Sequence, residues 1–222
     1  MKCIILCASY TDEEMPKALT TVDGVVALTG LVDKVKQIKE IDKIYVVTNG
    51  KNYDAFKKWK RISKSDVTII NDNTTSPDAN LGAIGDIMFT INCEEINDDM
   101  FIIAGDAIYN FSFEDILEYY QEKKEPVVAV KRIDTPLEFK KYGMIKFNEN
   151  HLVTEMKEKV NEAIGNYMAL ALYIYPQQII RLFGLYLSEG NRRTFPGYFL
   201  EYLYQVNDVY AYEINGEYIN LK

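Results

Sequence analysis

Three short runs of consecutive apolar residues constrain the fold of this chain more than any other feature of its sequence. They occupy residues 3–7, 44–47 and 100–104. Uninterrupted apolar runs of this length are typical of strands that are buried on both faces of a sheet. Residues 25–41 separate the first two runs and carry apolar side chains at helical spacing, with lysines between them. This order of strand, helix and strand predicts a βαβ unit with parallel strands.

Strand and helix patterns keep alternating through the rest of the first half. Further helices are predicted over residues 51–61, 81–95 and 112–124, and a further strand over residues 67–70. The helix over residues 112–124 begins with Ser112 and Asp115 in the spacing of a capping box. Such alternation is typical of a parallel sheet that helices cover on both faces.

The second half is richer in strands and predicts a mixed sheet. Strands are predicted over residues 127–130, 144–147, 152–156, 167–175, 209–214 and 217–221. One helix is predicted over residues 177–188, before Gly190 as its C′ residue, and another after Pro196. No internal repeat and no long linker divides the chain. We therefore predict a single α/β domain over residues 1–222 with one shared core.

Charge and cysteine content narrow the functional classes. The formal net charge is −8, and no stripe of Lys or Arg could follow a phosphate backbone, so a nucleic-acid partner is not expected. Cys3, Cys7 and Cys93 form no metal-type pair, and their odd number without a signal peptide favours a reducing, cytoplasmic compartment. No apolar stretch approaches the length of a membrane span. Nucleotide-binding P-loops, dinucleotide fingerprints and nucleophile elbows are absent from the sequence, which argues against hydrolase and dehydrogenase functions.

Three polar segments follow the predicted strands at the edge where open parallel sheets bind ligands. The first, residues 8–17, follows the opening strand and ends in Pro16-Lys17. The second places Asp106 at a strand end, a rigid position for a metal ligand. The third is residues 78–85, where Gly82 and Gly85 open a helix whose free backbone N–H groups could meet a base or a phosphate.

Each of these segments also has a purely structural explanation. Pro16-Lys17 is compatible with a simple turn, and Asp106 with a residue that ends its strand. Gly82 and Gly85 are compatible with close helix packing. The single histidine, His151, lies in a predicted turn between two strands and receives no chemical role.

Taken in order, these segments resemble the sugar-1-phosphate nucleotidyltransferase family, which includes glucose-1-phosphate thymidylyltransferase. The resemblance spans the whole chain and is carried by residues 1–8, 16–19, 44–49, 80–86, 102–106, 142–143, 158–159, 166 and 216–220. It implies a Rossmann-like three-layer α/β/α fold with a mixed sheet, of the nucleotide-diphospho-sugar transferase type. It also implies Mg²⁺-dependent transfer of a nucleotidyl group from a nucleoside triphosphate to a sugar-1-phosphate or similar phosphate, with release of pyrophosphate. A homo-oligomer would be compatible with it.

The resemblance also implies roles for single residues. Lys17, Asp106 and Lys159 would be catalytic: Lys17 would neutralise triphosphate oxygens, Asp106 would hold Mg²⁺, and Lys159 would bind the sugar phosphate. Asn220 stands at the second metal position. The nucleotide-binding residues would be Ala8, Ser9, Asn80 and Gly82, with Gly82 facing the base. The sugar pocket would be lined by Gly143, Glu158 and Asn166.

Departures from the family pattern leave two other functions open. Residues 9–15 replace a longer loop rich in glycine and bearing arginine, and they carry three carboxylates at Asp12, Glu13 and Glu14. Asn220 replaces an aspartate, and Val160 replaces a proline. A degenerate homologue that acts as a nucleotide-binding, sugar-binding or regulatory module is therefore the alternative. A glycosyltransferase is the third reading, but Ala107 and Ile108 stand where its paired aspartates would follow.

Overall fold

A computed structural model describes residues 1–11, 13–133, 142–159, 162 and 164–221. Its strands are β1 Lys2–Leu6, β2 Thr21–Val22, β3 Val25–Val26, β4 Lys43–Thr48, β5 Thr68–Asn71, β6 Met100–Ala104, β7 Ala107–Asn110, β8 Val127–Arg132, β9 Gly143–Phe147, β10 Val153–Lys157, β11 Tyr167–Tyr175, β12 Tyr210–Glu213 and β13 Glu217–Asn220. Its α-helices are α1 Ala27–Val35, α2 Tyr53–Ser63, α3 Gly82–Cys93, α4 Phe113–Lys123, α5 Ile180–Ser188 and α6 Gly197–Leu203. None of the helices in these described ranges is both long and apolar enough to cross a membrane.

The central sheet is mixed, as predicted. Its main strand order is β5-β4-β1-β6-β11-β8-β12, in which β11 runs antiparallel to both of its neighbours and the other pairs are parallel. The first residues of β11 also pair with β9, and β10 pairs with β9. The carboxyl ends of β1, β4, β5 and β6 therefore meet at one edge.

Helices cover both faces of this sheet, which confirms the predicted three-layer α/β/α fold. Alternate residues of β1 point to opposite faces: Cys3 and Ile5 join the core under α1, α2 and α4, whereas Ile4 joins the core under α3, α5 and α6. Because both faces are covered, every position in the middle of the strand is apolar. This is the physical origin of the continuous apolar runs.

The ends of two helices also follow the prediction. The Ser112 hydroxyl accepts a hydrogen bond from the backbone N–H of Asp115, so Ser112 is the N-cap of α4. Helix α5 ends at Ser188, and Gly190 follows with a left-handed φ of +74°.

Two local predictions are wrong. The predicted helix over residues 25–41 is shorter, because Val25–Val26 forms β3 and pairs with β2 across a turn at Asp23 and Gly24. Both turn residues have positive φ, at 51° and 83°, which closes a hairpin before the helix can begin. Strand β7 was not predicted; it pairs with β13 in a separate two-stranded sheet.

Candidate active site

A cavity of about 420 Å³ opens beyond the carboxyl ends of β1 and β6. It lies at the edge of the sheet where the sequence placed the ligand site. The predicted site residues on its wall are Ala8, Ser9, Asn80, Gly82, Asp106, Gly143, Glu158, Lys159 and Asn220. The three polar segments found in the sequence therefore meet at one place.

Asp106 and Asn220 lie together on one side of the cavity. The strand β13 pairs with β7 so that Asn220 stands opposite Ala107, and the Leu221 N–H donates to the Asp106 carbonyl at 2.9 Å. Burial raises the pKa of the Asp106 carboxyl, while its own backbone hydrogen bond and the charge of Lys17 oppose the rise. No group of three metal-ligating side chains occurs within the described ranges.

Gly105 explains how Asp106 reaches this position. Its N–H donates to the Leu6 carbonyl at 2.9 Å, which extends the pairing of β6 with β1 by one residue. A β-carbon at Gly105 would overlap Cys7 Sγ and would lie 3.1 Å from Ile5 Cγ2. The glycine therefore permits the close approach that sets Asp106 at the cavity wall.

Lys17 lies in a small recess beside the main cavity. The recess shares Ser9 and Asp106 with the cavity wall, so Lys17 and Asp106 face a common space. A short 3-10 turn, Lys17–Leu19, fixes this segment, with the Leu19 N–H bonded to the Pro16 carbonyl at 2.8 Å. The preceding carboxylates Glu13 and Glu14 are exposed and are not part of the cavity wall, and Asp12 lies outside the described residues.

The start of α3 differs from the prediction. The Gly82 N–H donates to the Asn80 side chain at 2.7 Å, and the N–H groups of Ala83 and Ile84 donate to the carbonyls of Thr194 and Arg193. The prediction that free N–H groups here meet a base or a phosphate is therefore wrong. Gly82 has a φ of +73°, and a β-carbon there would lie 2.7 Å from the Arg193 backbone carbon. The positive φ and the close approach of the Arg193 backbone explain why glycine occupies position 82.

Glu158 also lines the cavity, seated against two glycines. A β-carbon on Gly143 would lie 2.6 Å from Glu158 Oε2, and one on Gly197 would lie 2.8 Å from Glu158 Cδ. Burial raises the pKa of Glu158 to about 7; the charge of Lys159 opposes this rise, and Glu201 adds to it. The Lys159 ammonium lies 4.6 Å from the centre of the Phe195 ring.

Asn166 lies apart from this wall. Asn166 is exposed, and its backbone carbonyl accepts a hydrogen bond from the Ile133 N–H at 2.8 Å. It is not among the residues that line the cavity, so its assignment to the sugar pocket remains a prediction without geometric support. Val160, the other departure from the family pattern, lies outside the described residues.

The sequence analysis missed several wall residues, of which Asp86 is the most polar. Asp86 is only 3% exposed and lines the cavity one helical turn beyond Gly82. Burial, and then the neighbouring Asp72 carboxyl, raise the pKa of Asp86 to about 8, while Arg193 opposes the rise. The signal in the sequence was an aspartate between Ile84 and Ile87, inside an otherwise apolar helix. Gly197 gave no such signal, because its partner Glu158 is distant in sequence.

The chain is similar in sequence to a known family of proteins. The family described as nucleotidyl transferase matches residues 10–217. The glucose-1-phosphate adenylyltransferase of Mycoplasma mobile is 29% identical over 118 residues, which cover 52% of this chain and 31% of that protein. The mannose-1-phosphate guanyltransferase of Kluyveromyces lactis is 24% identical over 241 aligned positions, covering 100% of this chain and 61% of that protein. The chain thus spans less than two thirds of either relative.

The fold is shared with a solved structure. A UDP-glucose pyrophosphorylase complexed with UDP-glucose superposes with a TM-score of 0.76 at 18% identity, over 98% of this chain and 91% of the other. At that identity the likeness concerns the arrangement of strands and helices.

Proposed function

Because the chain belongs to the nucleotidyl transferase family, we propose that it transfers a nucleotidyl group from a nucleoside triphosphate to a sugar-1-phosphate or a similar phosphate, releasing pyrophosphate. One observation carries the proposal. A single cavity is lined by Asp106 and Asn220, by Glu158 and Lys159, and by Asn80. Both substrates can therefore be bound next to each other.

The chemistry needs positioning and charge neutralisation more than it needs a reactive side chain. An oxygen of the sugar phosphate attacks the α-phosphate of the triphosphate, forming one P–O bond while the bond to pyrophosphate breaks. Two anions must approach each other, so fixed cations that face them lower the barrier. Lys17 would face the triphosphate and Lys159 the sugar phosphate. Glu158 would accept hydrogen bonds from sugar hydroxyls.

The residues present fit a magnesium ion held mostly by phosphate oxygens. Mg²⁺ takes one or two carboxylates, keeps several waters and uses substrate phosphates as further ligands. Asp106 would supply one carboxylate, and Asn220 lines the same cavity from β13, opposite Ala107. The ion, when bound, would neutralise phosphate charge. Glu13 and Glu14 are exposed and do not line the cavity.

We extend the proposal to the setting of the protein. One domain over residues 1–222 is supported by the two cores that share a single sheet. Cys3, Cys7 and Cys93 are free thiols, which supports a reducing compartment such as the cytoplasm. A homo-oligomer would appear in light scattering as a multiple of 25.6 kDa.

Pyrophosphate release tests the proposal. Each common nucleoside triphosphate is incubated with Mg²⁺ and a panel of sugar and polyol phosphates, using the wild-type chain, Asp106→Ala, and Asp54→Ala as a control. Asp54 is an exposed carboxylate on α2, away from the cavity. We expect turnover in the wild type and the control, and its loss in Asp106→Ala. No turnover in any combination, together with no calorimetric binding of any triphosphate in Mg²⁺, would refute the proposed reaction and leave the binding or regulatory module.

A further inference from the structure

An aromatic ring lies against the lysine that would bind the sugar phosphate. The Lys159 ammonium lies 4.6 Å from the centre of the Phe195 ring, and both residues line the cavity. Phe195 keeps 39% of its surface exposed, so burial in the core does not explain why this ring stands here. The proposed reaction by itself gives Phe195 no role.

Helix α6 fixes the backbone on both sides of this contact. The Glu158 N–H donates to Glu201 Oε2 at 3.2 Å, and Lys159 follows with a left-handed φ of +54°. The Phe195 carbonyl accepts a hydrogen bond from the Tyr198 N–H at 3.2 Å, in the first turn of α6. Because Glu201 and Tyr198 belong to the same helix, the lysine and the ring are held in one frame.

Further contacts restrict the ring itself. Its centre lies 6.1 Å from the centre of the Tyr198 ring, and the Arg192 guanidinium lies 5.3 Å from that second ring. The preceding residue is tied to α3, because the Thr194 carbonyl accepts a hydrogen bond from the Ala83 N–H at 3.2 Å. The segment that carries Phe195 is therefore held at both of its ends.

An aromatic face is suited to orient a lysine that has to bind an anion. The ring attracts an ammonium through its quadrupole. Unlike a carboxylate, it adds no negative charge that would repel a phosphate. A lysine side chain has many rotamers, and restricting them beforehand lowers the entropy that is lost when the anion binds. A ring in contact with Lys159 can therefore fix its position and leave its charge to the phosphate.

We propose that Phe195 is a positioning residue, whose ring holds the Lys159 ammonium where the sugar phosphate binds. This inference rests on the proposed function. The ligand part concerned is the phosphate group and not the sugar hydroxyls, because an ammonium serves a phosphate as a point charge. Phe195 acts through Lys159, so its effect disappears when the lysine is absent.

Steady-state kinetics of single variants test the inference. Phe195→Leu keeps an apolar side chain without an aromatic face. Its KM for the sugar phosphate should rise roughly two- to fivefold, the value of an exposed cation–π contact, while KM for the triphosphate stays within about 1.5-fold. Phe195→Tyr keeps the face and should retain the wild-type KM. Tyr53→Leu is a matched control without effect on KM, because the Lys57 ammonium also lies 4.6 Å from the Tyr53 ring, away from the cavity.

A double-mutant cycle with Lys159→Ala separates positioning from direct contact with the sugar. In that background Phe195→Leu should leave KM for the sugar phosphate within about 1.5-fold. An undiminished rise in that background, no rise in either background, or an equal rise in Phe195→Tyr would overturn the inference and leave the proposed function intact. No turnover by the wild type with any substrate pair would refute the inference together with the proposed function.

A measurement on the wild type decides the question if Phe195→Leu does not fold. In proton NMR spectra, the ring current of Phe195 should shift the ε-methylene protons of Lys159 upfield of those of exposed lysines that have no ring contact. The signal is identified by its loss in Lys159→Ala. Lys159 protons that resonate with those of the exposed lysines would overturn the inference.

Discussion

Gly197→Ala is expected to impair the reaction without unfolding the protein. The new β-carbon would overlap the Glu158 carboxylate and would lie 2.8 Å from Glu158 Cδ and 3.1 Å from Met156 Cε. Gly197 begins α6 and does not have a left-handed φ, so the backbone accepts alanine there. The half-buried Glu158 side chain is the group that must move.

The size of the effect follows from the contact that is lost. A hydrogen bond to a charged group contributes roughly 1.5–3 kcal/mol, and about 1.4 kcal/mol corresponds to a tenfold change in rate. Because Glu158 would accept hydrogen bonds from the sugar hydroxyls, kcat/KM for the sugar phosphate should fall roughly 10- to 150-fold. The free energy of unfolding should change by no more than about 1 kcal/mol, since alanine favours the helix while the displaced side chain is flexible.

Steady-state kinetics at saturating triphosphate, with urea unfolding alongside, would measure both quantities. Gly30→Ala is a matched control, because Gly30 also lies in a helix and a β-carbon there meets nothing within 4 Å. A folded Gly197→Ala protein whose kcat/KM stays within twofold of the wild type would show that Glu158 does not bind the substrate from its present position.

Three further predictions concern stability and charge. Gly105→Ala should lower the free energy of unfolding by about 1–3 kcal/mol in urea, since its β-carbon would overlap Cys7 Sγ; an unchanged midpoint would contradict the packing described. The Asp86 pKa of about 8 lies above its ordinary value of 3.8, so the folded state keeps a proton that the unfolded state releases, and stability should fall as pH rises between these values. Asp86→Asn should remove up to about 1.4 kcal/mol per pH unit of that slope. Urea unfolding at pH 5 and pH 7 would measure it, and the same loss of stability between these pH values in the wild type and in Asp86→Asn would argue against it. Lys17→Ala should chiefly raise KM for the triphosphate and Lys159→Ala that for the sugar phosphate; initial rates with each substrate varied would show the reverse if the two lysines were wrongly assigned.

The sequence was informative wherever structure depends on neighbours in the chain. The apolar runs predicted β1, β4 and β6 because burial on both faces demands an apolar residue at every central position. Asp106 could be placed at the cavity because parallel strands end at a common edge. Ser112 could be placed as an N-cap because its partner is three residues away.

Features that depend on distant residues could not be predicted. The N–H groups at the start of α3 are occupied by carbonyls at positions 193 and 194, more than a hundred residues later. Asp86 and Asp72 are both buried and interact electrostatically, although 14 positions separate them in sequence, and a single aspartate in a helix does not reveal such a partner. Position 197 requires glycine because the Glu158 carboxylate packs directly against it. This contact is created by the tertiary fold.

The small sheet of β7 and β13 forms a part of the cavity wall that a short ladder of hydrogen bonds holds in place. In the described part of the chain β13 pairs with β7 and not with the central sheet, and Glu217, Ile219 and Asn220 are exposed. Detaching β13 would break that short ladder, the hydrogen bond from Leu221 to Asp106, and the contacts of Tyr218 with Tyr109 and Tyr142, while the central strands keep their ladder partners. Local opening of this kind has a low free energy, so amide hydrogens of β13 should exchange long before those of β1. Separation of β13 would thus open the side of the cavity that carries Asn220 without a rearrangement of the central sheet.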